Sequence, residues 1–292
     1  MKIDARTRLV TLLGYSLGHS LSPEIHNTAF QLQQINMAYL CMEVHPDQLK
    51  QALDGFRAAR FVGSNVTIPH KQAIHKLVDT LSEQARAVGA VNTIVSQFDE
   101  NGEIESLHGD NTDVRGFLEP LAPYAGKLEG GEMVVFGAGG AARAVAYGIL
   151  QAYQPAQLTI VARNTGKAEQ LAKDLAAYDN QRALQVVSFS EATNAVRNGR
   201  LLVNATPVGM HHDADQTPWP EAKDFSRHQV VYDLVYNPEK TRLLNDAAQQ
   251  GAQTLGGLEM LIQQAAASYQ QWTHKSMPLD AVRHAVRTKL GL

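Results

Sequence analysis

The 292-residue sequence predicts an α/β protein of two domains, each organised around a largely parallel sheet. Three observations carry this expectation. At about 150 residues per domain, the length allows two separate cores. Short runs rich in Val, Ile, Tyr and Phe alternate with longer amphipathic stretches, the pattern of βα units. One such run, Met133 to Phe136, passes directly into a glycine turn that opens a helix.

In the first domain, strands are expected near Leu9 to Leu13, Ala38 to Glu43, Gly63 to Val66, Asn92 to Gln97 and Glu103 to Leu107, with helices between most of them. Ser22-Pro23-Glu24 opens one helix, because serine is a natural N-cap, proline suits the first helical position and an acid suits the positive first turn. Thr80 to Glu83 has the spacing of a capping box and opens another. Met1 to Arg6 reads as a frayed end. The polar, glycine-rich AGKLEGG, within Tyr124 to Gly131, marks the domain boundary. A second series follows at Met133 to Phe136, Leu158 to Ala162, Leu184 to Val187, Leu201 to Asn204 and Val230 to Leu234, five strand-like runs separated by helical stretches, as in a Rossmann-type half. After Leu255 the pattern is wholly helical, with Leu258, Leu261, Ile262, Ala265, Ala266 and Tyr269 at helical spacing, and this tail is expected to fold back onto the first domain. The domains are therefore read as 1–124 plus 256–292, and 125–255.

Composition narrows the function. Hydrophobic residues make up 44% and charged residues 19%, which is ordinary globular usage and argues against disorder. The net charge is 26 minus 29, or −3, without a basic run, so electrostatics give no footing for a nucleic acid. Leu9 to Gly14 is too short and mixed for a signal peptide, and no stretch reaches the ~18 apolar residues of a membrane helix. Cys41 is the only cysteine, which excludes an internal disulfide and a cysteine-based metal cluster and fits a reducing compartment, the cytoplasm by default. The expected partner is a small molecule, with neither nucleic acid nor membrane involved.

The glycine turn predicts a nucleotide site. A dinucleotide pyrophosphate must approach backbone amides at a helix N-terminus, so side chains there have to be absent or tiny. Gly137, Gly139 and Ala142 fill G-x-G-x-x-G/A, with Ala138, Gly140 and Ala141 as the small residues between. Cofactor choice is read at the tip of the next strand, here Arg163-Asn164-Thr165-Gly166-Lys167. No acid stands there to hold a ribose 2′-hydroxyl. Arg163 offers planar paired donors and Lys167 a point charge, both suited to a 2′-phosphate, which favours NADP.

The first domain carries polar residues at strand ends and loop starts. His19-Ser20-Leu21-Ser22-Pro23 sets two hydroxyls at the mouth of a helix, where they and the free amides suit a carboxylate. The alternative is that Ser22 only caps the helix and Ser20 is a bystander. Ser64-Asn65-Val66-Thr67-Ile68-Pro69-His70-Lys71 ends in a proline turn and a lysine, and Gly89 to Thr93 and Gly109 to Asp113 set amide, hydroxyl and carboxylate groups beside glycine turns. His211-His212-Asp213 resembles a metal cluster on paper, but adjacent residues in a polar loop rarely converge on one ion, and no metal is expected.

These pieces, HSLSPEIHN, SNVTIPHK, AVGAVNTIV, GDNTD, VVFGAGGAARAV, NATPVGM, YDLVYNP and GGLEMLIQQAA, resemble the shikimate and quinate dehydrogenase family, in its order and over nearly the whole chain. The resemblance implies an N-terminal catalytic domain, a C-terminal NADP domain and terminal helices that return to the first. It implies that Ser20 and Ser22 bind the substrate carboxylate, that Lys71 and Asp113 form the catalytic pair, and that Asn92, Thr67 and Gln264 bind ring hydroxyls. Tyr236 would close over the site, Gly257 would approach the nicotinamide by its backbone, and Thr206 and Met210 would lie along the cofactor. The implied reaction is reduction of 3-dehydroshikimate by NADPH. Ketone reduction needs hydride on carbon and a proton on the developing alkoxide, and a protonated lysine oriented by a carboxylate can supply the second. The rivals are quinate or an amino-shikimate as substrate, a metabolite sensor that has lost the chemistry and, more distantly, a folate-type dehydrogenase. Three positions depart from the family's pattern: His70, which either faces away from the site or adds a titratable group to it; Val114, where glycine is frequent; and Ala162, where asparagine is frequent among NADP-specific members. The sequence is read as a monomer or homodimer.

Overall fold

The computed structural model describes residues 3–292. Its first elements are β1 (Arg8–Gly14), α1 (Ser22–Leu32), β2 (Met37–Glu43), α2 (Leu49–Ala58), β3 (Gly63–Val66), α3 (Lys71–Ile74), β4 (Thr80–Leu81), α4 (Glu83–Val88), β5 (Thr93–Phe98) and β6 (Ile104–Asp110). Then come α5 (Asp113–Leu118), α6 (Ala125–Leu128), β7 (Glu132–Phe136), α7 (Gly140–Tyr153), β8 (Gln157–Val161), α8 (Thr165–Leu175), β9 (Leu184–Val187), α9 (Thr193–Asn198), β10 (Leu201–Asn204), β11 (Val230–Asp233), α10 (Arg242–Gln249), β12 (Gln253–Leu255), α11 (Gly257–Thr273) and α12 (Leu279–Leu290). The chain forms two compact units, residues up to Thr112 with Gln264–Leu292, and Asp113–Gln263. The first break falls ahead of the glycine-rich segment because Val114 and Phe117 of α5, 3% and 0% exposed, pack on α7, where a Cβ added to Gly148 would lie 3.3 Å from Val114 Cγ1. Val114 is thus a packing residue of the second unit.

The sheet of the first unit has the order β2-β1-β3-β5-β6-β4. It is mixed, which is less parallel than the alternating pattern suggested. β1 pairs in parallel with β2 and β3, but β5 runs antiparallel to both β3 and β6. The β5–β6 pairing has a local cause: residues 99–103 form a tight turn in which Asp99 Oδ1 accepts the amides of Asn101 and Glu103 and Gly102 takes φ +79°, turning the chain straight back. Both faces are covered, with Leu13, Val66, Ile94, Leu107 and Phe56 in one buried cluster. The C-terminal helices return to this unit. α12 packs on α1, and Trp272 of α11 donates its indole N–H to Ile94 O at 3.0 Å across Gly63, where a Cβ would sit 2.1 Å from the indole nitrogen. A side chain at position 63 has no room.

Three local expectations are corrected. Leu21, not Ser22, is the N-cap of α1; Ser22 is the first helical residue, and its amide donates to Ser20 Oγ at 3.2 Å. Ser82, not Thr80, caps α4 by accepting the Ala85 amide, because Thr80 is held in β4. Of the end read as frayed, Met1 and Lys2 lie outside the described residues, while Asp4 is tied down by the Thr7 and Arg6 amides and by Asn36.

The second unit has a wholly parallel sheet in the order β12-β11-β10-β7-β8-β9, one strand more than the five read from the sequence. Chain order reverses between β7 and β10, the topological switch point at which doubly wound sheets bind nucleotides. In register, Phe136 of β7 stands beside Val161 of β8 on one side and Asn204 of β10 on the other, with Asp233 of β11 beyond Asn204. These carboxyl ends carry the loops that matter. Among the described residues no helix is long and apolar enough to cross a membrane.

Candidate functional site

In the first unit, the polar residues singled out in the sequence gather at the ends of β1, β3 and β5 and on α11. Ser22 is buried and Ser20 half-buried at the start of α1. The Ser20 hydroxyl receives a helix amide, so it is part of the helix mouth rather than a bystander. Thr67 is held by its amide, which donates to Leu13 O at 2.9 Å, and it begins a turn with a cis Ile68–Pro69 bond. Lys71 follows at the start of α3, half-buried, its carbonyl accepting the Val91 amide at 2.9 Å. That bond ties the lysine's backbone to the strand that presents Asn92. His70 is 1% exposed and its Nε2 lies 2.8 Å from Val44 O, a contact that joins the turn to the end of β2. That contact gives His70 a part in the fold.

Asn92 is 2% exposed and sits at the centre of a buried polar network. Its Oδ1 accepts the Thr112 amide at 2.7 Å, and its Nδ2 donates to Thr112 Oγ1 at 3.0 Å and to Gln264 Oε1 at 3.4 Å. The same network contains residues that sequence reasoning did not assign. Asn65 Nδ2 donates to Ser268 Oγ at 2.9 Å and to Thr93 Oγ1 at 3.2 Å, while Asn65 Oδ1 accepts the Tyr39 hydroxyl at 2.9 Å. Gln264 and Ser268 are four residues apart, on one face of α11, which was the available signal. Asp110, the first acid of GDNTD, is occupied by Ser82 at 2.5 Å and Gln271 at 2.6 Å and acts in the fold. Asp113, the second, is 6% exposed and is the first residue of α5, directly after the anchored Thr112.

In the second unit the glycine turn behaves as its spacing predicts. Gly137 has φ +110°, where a side chain is disfavoured, and a Cβ would also press on Thr206 Cγ2 at 3.0 Å and Ala205 O at 3.1 Å. Gly139 is the N-cap of α7, and a Cβ there would meet nothing within 4 Å. The cradle is open. With Ala138, Gly140 and Ala141 also small, the first-turn amides of this 14-residue helix are accessible to an anion, so the residues present fit a dinucleotide pyrophosphate. Arg143, one turn on, is buried and ion-paired to Asp174, and so is committed to the fold.

At the tip of β8, Arg163 and Lys167 are both exposed, and neither has an ion pair among the described residues. Asn164 caps α8, its Oδ1 accepting the Lys167 amide at 3.1 Å, so its carbonyl oxygen is already engaged. Ala162 is buried at the strand end. The neighbouring loops are organised by two buried side chains. Asn204 Oδ1 accepts both the amide and the hydroxyl of Thr206, at 3.0 and 2.7 Å, and Asn204 Nδ2 donates to Asp233 Oδ1 at 2.9 Å. Asp233 also accepts the Val235 amide at 3.0 Å and the Thr241 hydroxyl at 2.6 Å, and burial pushes its carboxyl up to about 6. Tyr236 follows in this loop, mostly buried, with burial raising its phenol. His211 N–H donates to Asn237 O at 3.1 Å, joining the Thr206–Met210 loop to Tyr236's loop, and Met210 is 42% exposed. Gly257, at the start of α11, donates to Val235 O at 3.2 Å; a Cβ would lie 2.1 Å from Leu234 O. Among the described residues no group of three or more His, Cys, Asp and Glu is placed to hold a metal ion, and the side chain of His212 lies outside them.

Comparisons with known proteins extend this picture. The family described as shikimate dehydrogenase substrate binding domain matches residues 12–94, and that described as shikimate 5'-dehydrogenase C-terminal domain matches residues 257–287. Over 289 residues the chain is 57% identical to shikimate dehydrogenase (NADP(+)) of Salinibacter ruber, covering 98% of this chain and 99% of that one. Among solved structures, shikimate 5-dehydrogenase from Listeria monocytogenes, in complex with shikimate and NAD, superposes with a TM-score of 0.87 at 35% identity, covering 97% and 98% of the two chains. The Thermus thermophilus enzyme, in complex with NADP(H) and shikimate, gives 0.82 at 34% identity over 96% and 99%.

Proposed function

The chain belongs to the shikimate dehydrogenase family, and on that premise we propose that it catalyses the NADPH-dependent, reversible reduction of 3-dehydroshikimate to shikimate, a step of aromatic amino acid biosynthesis. The observation that carries this reading is the end-to-end match to an NADP(+)-dependent shikimate dehydrogenase, which spans both units.

Bound NADPH would supply the hydride. Gly137, Ala138, Gly139, Gly140 and Ala141 would hold its pyrophosphate, Arg163, Asn164 and Lys167 its 2′-phosphate, and Thr206, Met210 and Gly257 the remainder. The open turn at Gly139 and the exposed cations at 163 and 167 support this assignment. Ser20 and Ser22 would take the substrate carboxylate at the mouth of α1, where hydroxyls and helix amides act together. Thr67, Asn92 and Gln264 would bind ring hydroxyls, and Tyr236 would cover the ring. Asn92 suits this role because its contacts to Thr112 and Gln264 set its amide in one orientation.

Lys71 and Asp113 would move the proton. In the reducing direction the Lys71 ammonium stabilises the developing alkoxide and donates to it, and Asp113 orients that ammonium; in the reverse direction the pair accepts the hydroxyl proton. The first unit binds substrate and the second the cofactor in this reading, and the enzyme is a cytoplasmic monomer or homodimer. Initial rates with shikimate and quinate, each with NADP and NAD, test it. The shikimate–NADP combination is expected to be fastest; faster oxidation of quinate, or no turnover with any pair, overturns it.

A further inference from the structure

We infer that Ser268 is a positioning residue for the substrate wall of the first unit, acting through Asn92, Thr112 and Gln264 without touching substrate; the inference rests on the function proposed above. Ser268 is 0% exposed, in the middle of α11. Its hydroxyl donates to Gln264 O at 3.0 Å, one helical turn back. It also accepts from Asn65 Nδ2 at 2.9 Å, and lies 2.9 Å from Thr93 Oγ1 and 3.2 Å from Thr112 Oγ1. One hydroxyl thus joins α11 to β3, to β5 and to the turn after β6.

The chemistry of this arrangement is orientational. The Asn92 side-chain amide donates to Thr112 Oγ1 and to Gln264 Oε1. Both partners are fixed in turn by Ser268, Thr112 through its hydroxyl and Gln264 through the backbone of its helical turn. Thr93, the other hydroxyl beside Ser268, also donates to Asn92 Oδ1 at 3.0 Å. Without the Ser268 hydroxyl, Asn65 loses an acceptor, and Thr93 and Thr112 lose their common neighbour in a dry setting. The remaining groups then re-pair among themselves, and Asn92 is the side chain they can reach. A serine here serves no purpose that alanine would not serve better if packing alone were required, because a buried hydroxyl costs desolvation unless its bonds are used.

The test compares Ser268→Ala with Ser96→Ala. Ser96 is a buried hydroxyl of the same sheet that donates to Phe61 O at 2.7 Å and has no part in the network, so its loss measures the generic effect of one missing buried hydrogen bond. Ser268→Ala is expected to raise the shikimate KM by about five- to tenfold, with kcat and the NADP KM within about twofold of wild type. Ser96→Ala is expected to leave all three unchanged. The isosteric Thr93→Val should raise the shikimate KM in the same direction, and it carries the test if Ser268→Ala does not fold. A Ser268→Ala enzyme with the shikimate KM of Ser96→Ala, or one that loses shikimate and NADP affinity in equal proportion, overturns the inference. Wild-type turnover of shikimate with NADP, measured alongside, tests the underlying function separately.

Discussion

His26 lies face to face on Tyr39, with ring centroids 4.4 Å apart and planes within 9°, and neither of its ring nitrogens has a hydrogen-bond partner among the described residues. It is a histidine used as an aromatic surface. Phe30, Tyr269 and Trp272 complete the stack, and the next residue, Asn27, locks Tyr39 from its backbone side, accepting the Tyr39 amide at 2.8 Å and donating to its carbonyl at 3.0 Å. The HN pair that ends the HSLSPEIHN motif therefore serves to fix Tyr39, whose hydroxyl orients Asn65.

Burial lowers the His26 ring to about 3, against a smaller opposing effect of the neighbouring Asn65. The folded state thus resists a proton that the unfolded chain accepts near 6.5, so this group favours folding fully above that value and loses its contribution as pH falls toward 3. His26→Phe keeps the stack and removes the titration. Its stability should stay within about 1 kcal/mol of wild type at pH 7 and exceed it by about 2–3 kcal/mol at pH 4.5. Denaturant titrations at the two pH values check this; an equal difference at both would show that His26 does not titrate on unfolding.

Lys71→Ala is expected to lower kcat by roughly 10²–10⁴-fold, the range for losing a general acid or base, with NADP affinity near wild type because the cation belongs to the first unit. Ser20→Ala should instead act mainly on the shikimate KM. Steady-state kinetics and a fluorescence titration of NADPH separate the two. Ordinary turnover by Lys71→Ala would remove the lysine from the mechanism, and unfolding of Ser20→Ala would assign that hydroxyl to the cap of α1.

Much of this was legible in the chain because the central strands are short, apolar and buried: the expected runs at 133–136 and 201–204 lie within or coincide with β7 and β10, which stand side by side at the middle of their sheet. β4 and β12 were not legible. They are two and three residues long, lie at sheet edges and hold partly exposed side chains, so no periodicity marks them. Site residues beside glycine and proline turns stood out for the same reason turns do, since backbone geometry restricts which residues fit. Ser268, Thr93 and Tyr39 sit within regular elements, where a hydroxyl changes neither period nor propensity enough to be noticed. Their roles depend on tertiary neighbours up to 203 residues apart in sequence, as between Asn65 and Ser268.

Gly257 offers a sharper separation of packing from function. A methyl group there would lie 2.1 Å from Leu234 O and 2.9 Å from Val235 O, backbone atoms that cannot rotate away. Gly257→Ala must therefore displace the first turn of α11 or the end of β11, at a cost of about 1–3 kcal/mol. The expected result is a lower Tm together with a reduced kcat. A variant with wild-type Tm and impaired NADP binding would show instead that the glycine is required only for approach of the cofactor.

Asp233 gives the second unit a pH response opposite to that of His26. The groups facing the carboxylate, the Asn204 amide, the Val235 N–H and the Thr241 hydroxyl, are all uncharged, and burial outweighs their hydrogen bonds to raise the group to about 6. Because the folded state holds the proton more tightly than the unfolded chain does near 3.8, stability is greatest below that value and declines as pH rises through about 6. The decline amounts to on the order of 3 kcal/mol, from about 1.4 kcal/mol per pKa unit. Asp233→Asn abolishes the titration while keeping an acceptor for Asn204 and Val235. Its stability relative to wild type should therefore climb by that amount between pH 4 and pH 7, whatever fixed cost the change imposes at the Thr241 hydroxyl. Parallel stability curves for the two proteins would mean that Asp233 is ionised throughout, with its three donors outweighing burial, and that the loop carrying Thr206 is held by the same bonds at every pH.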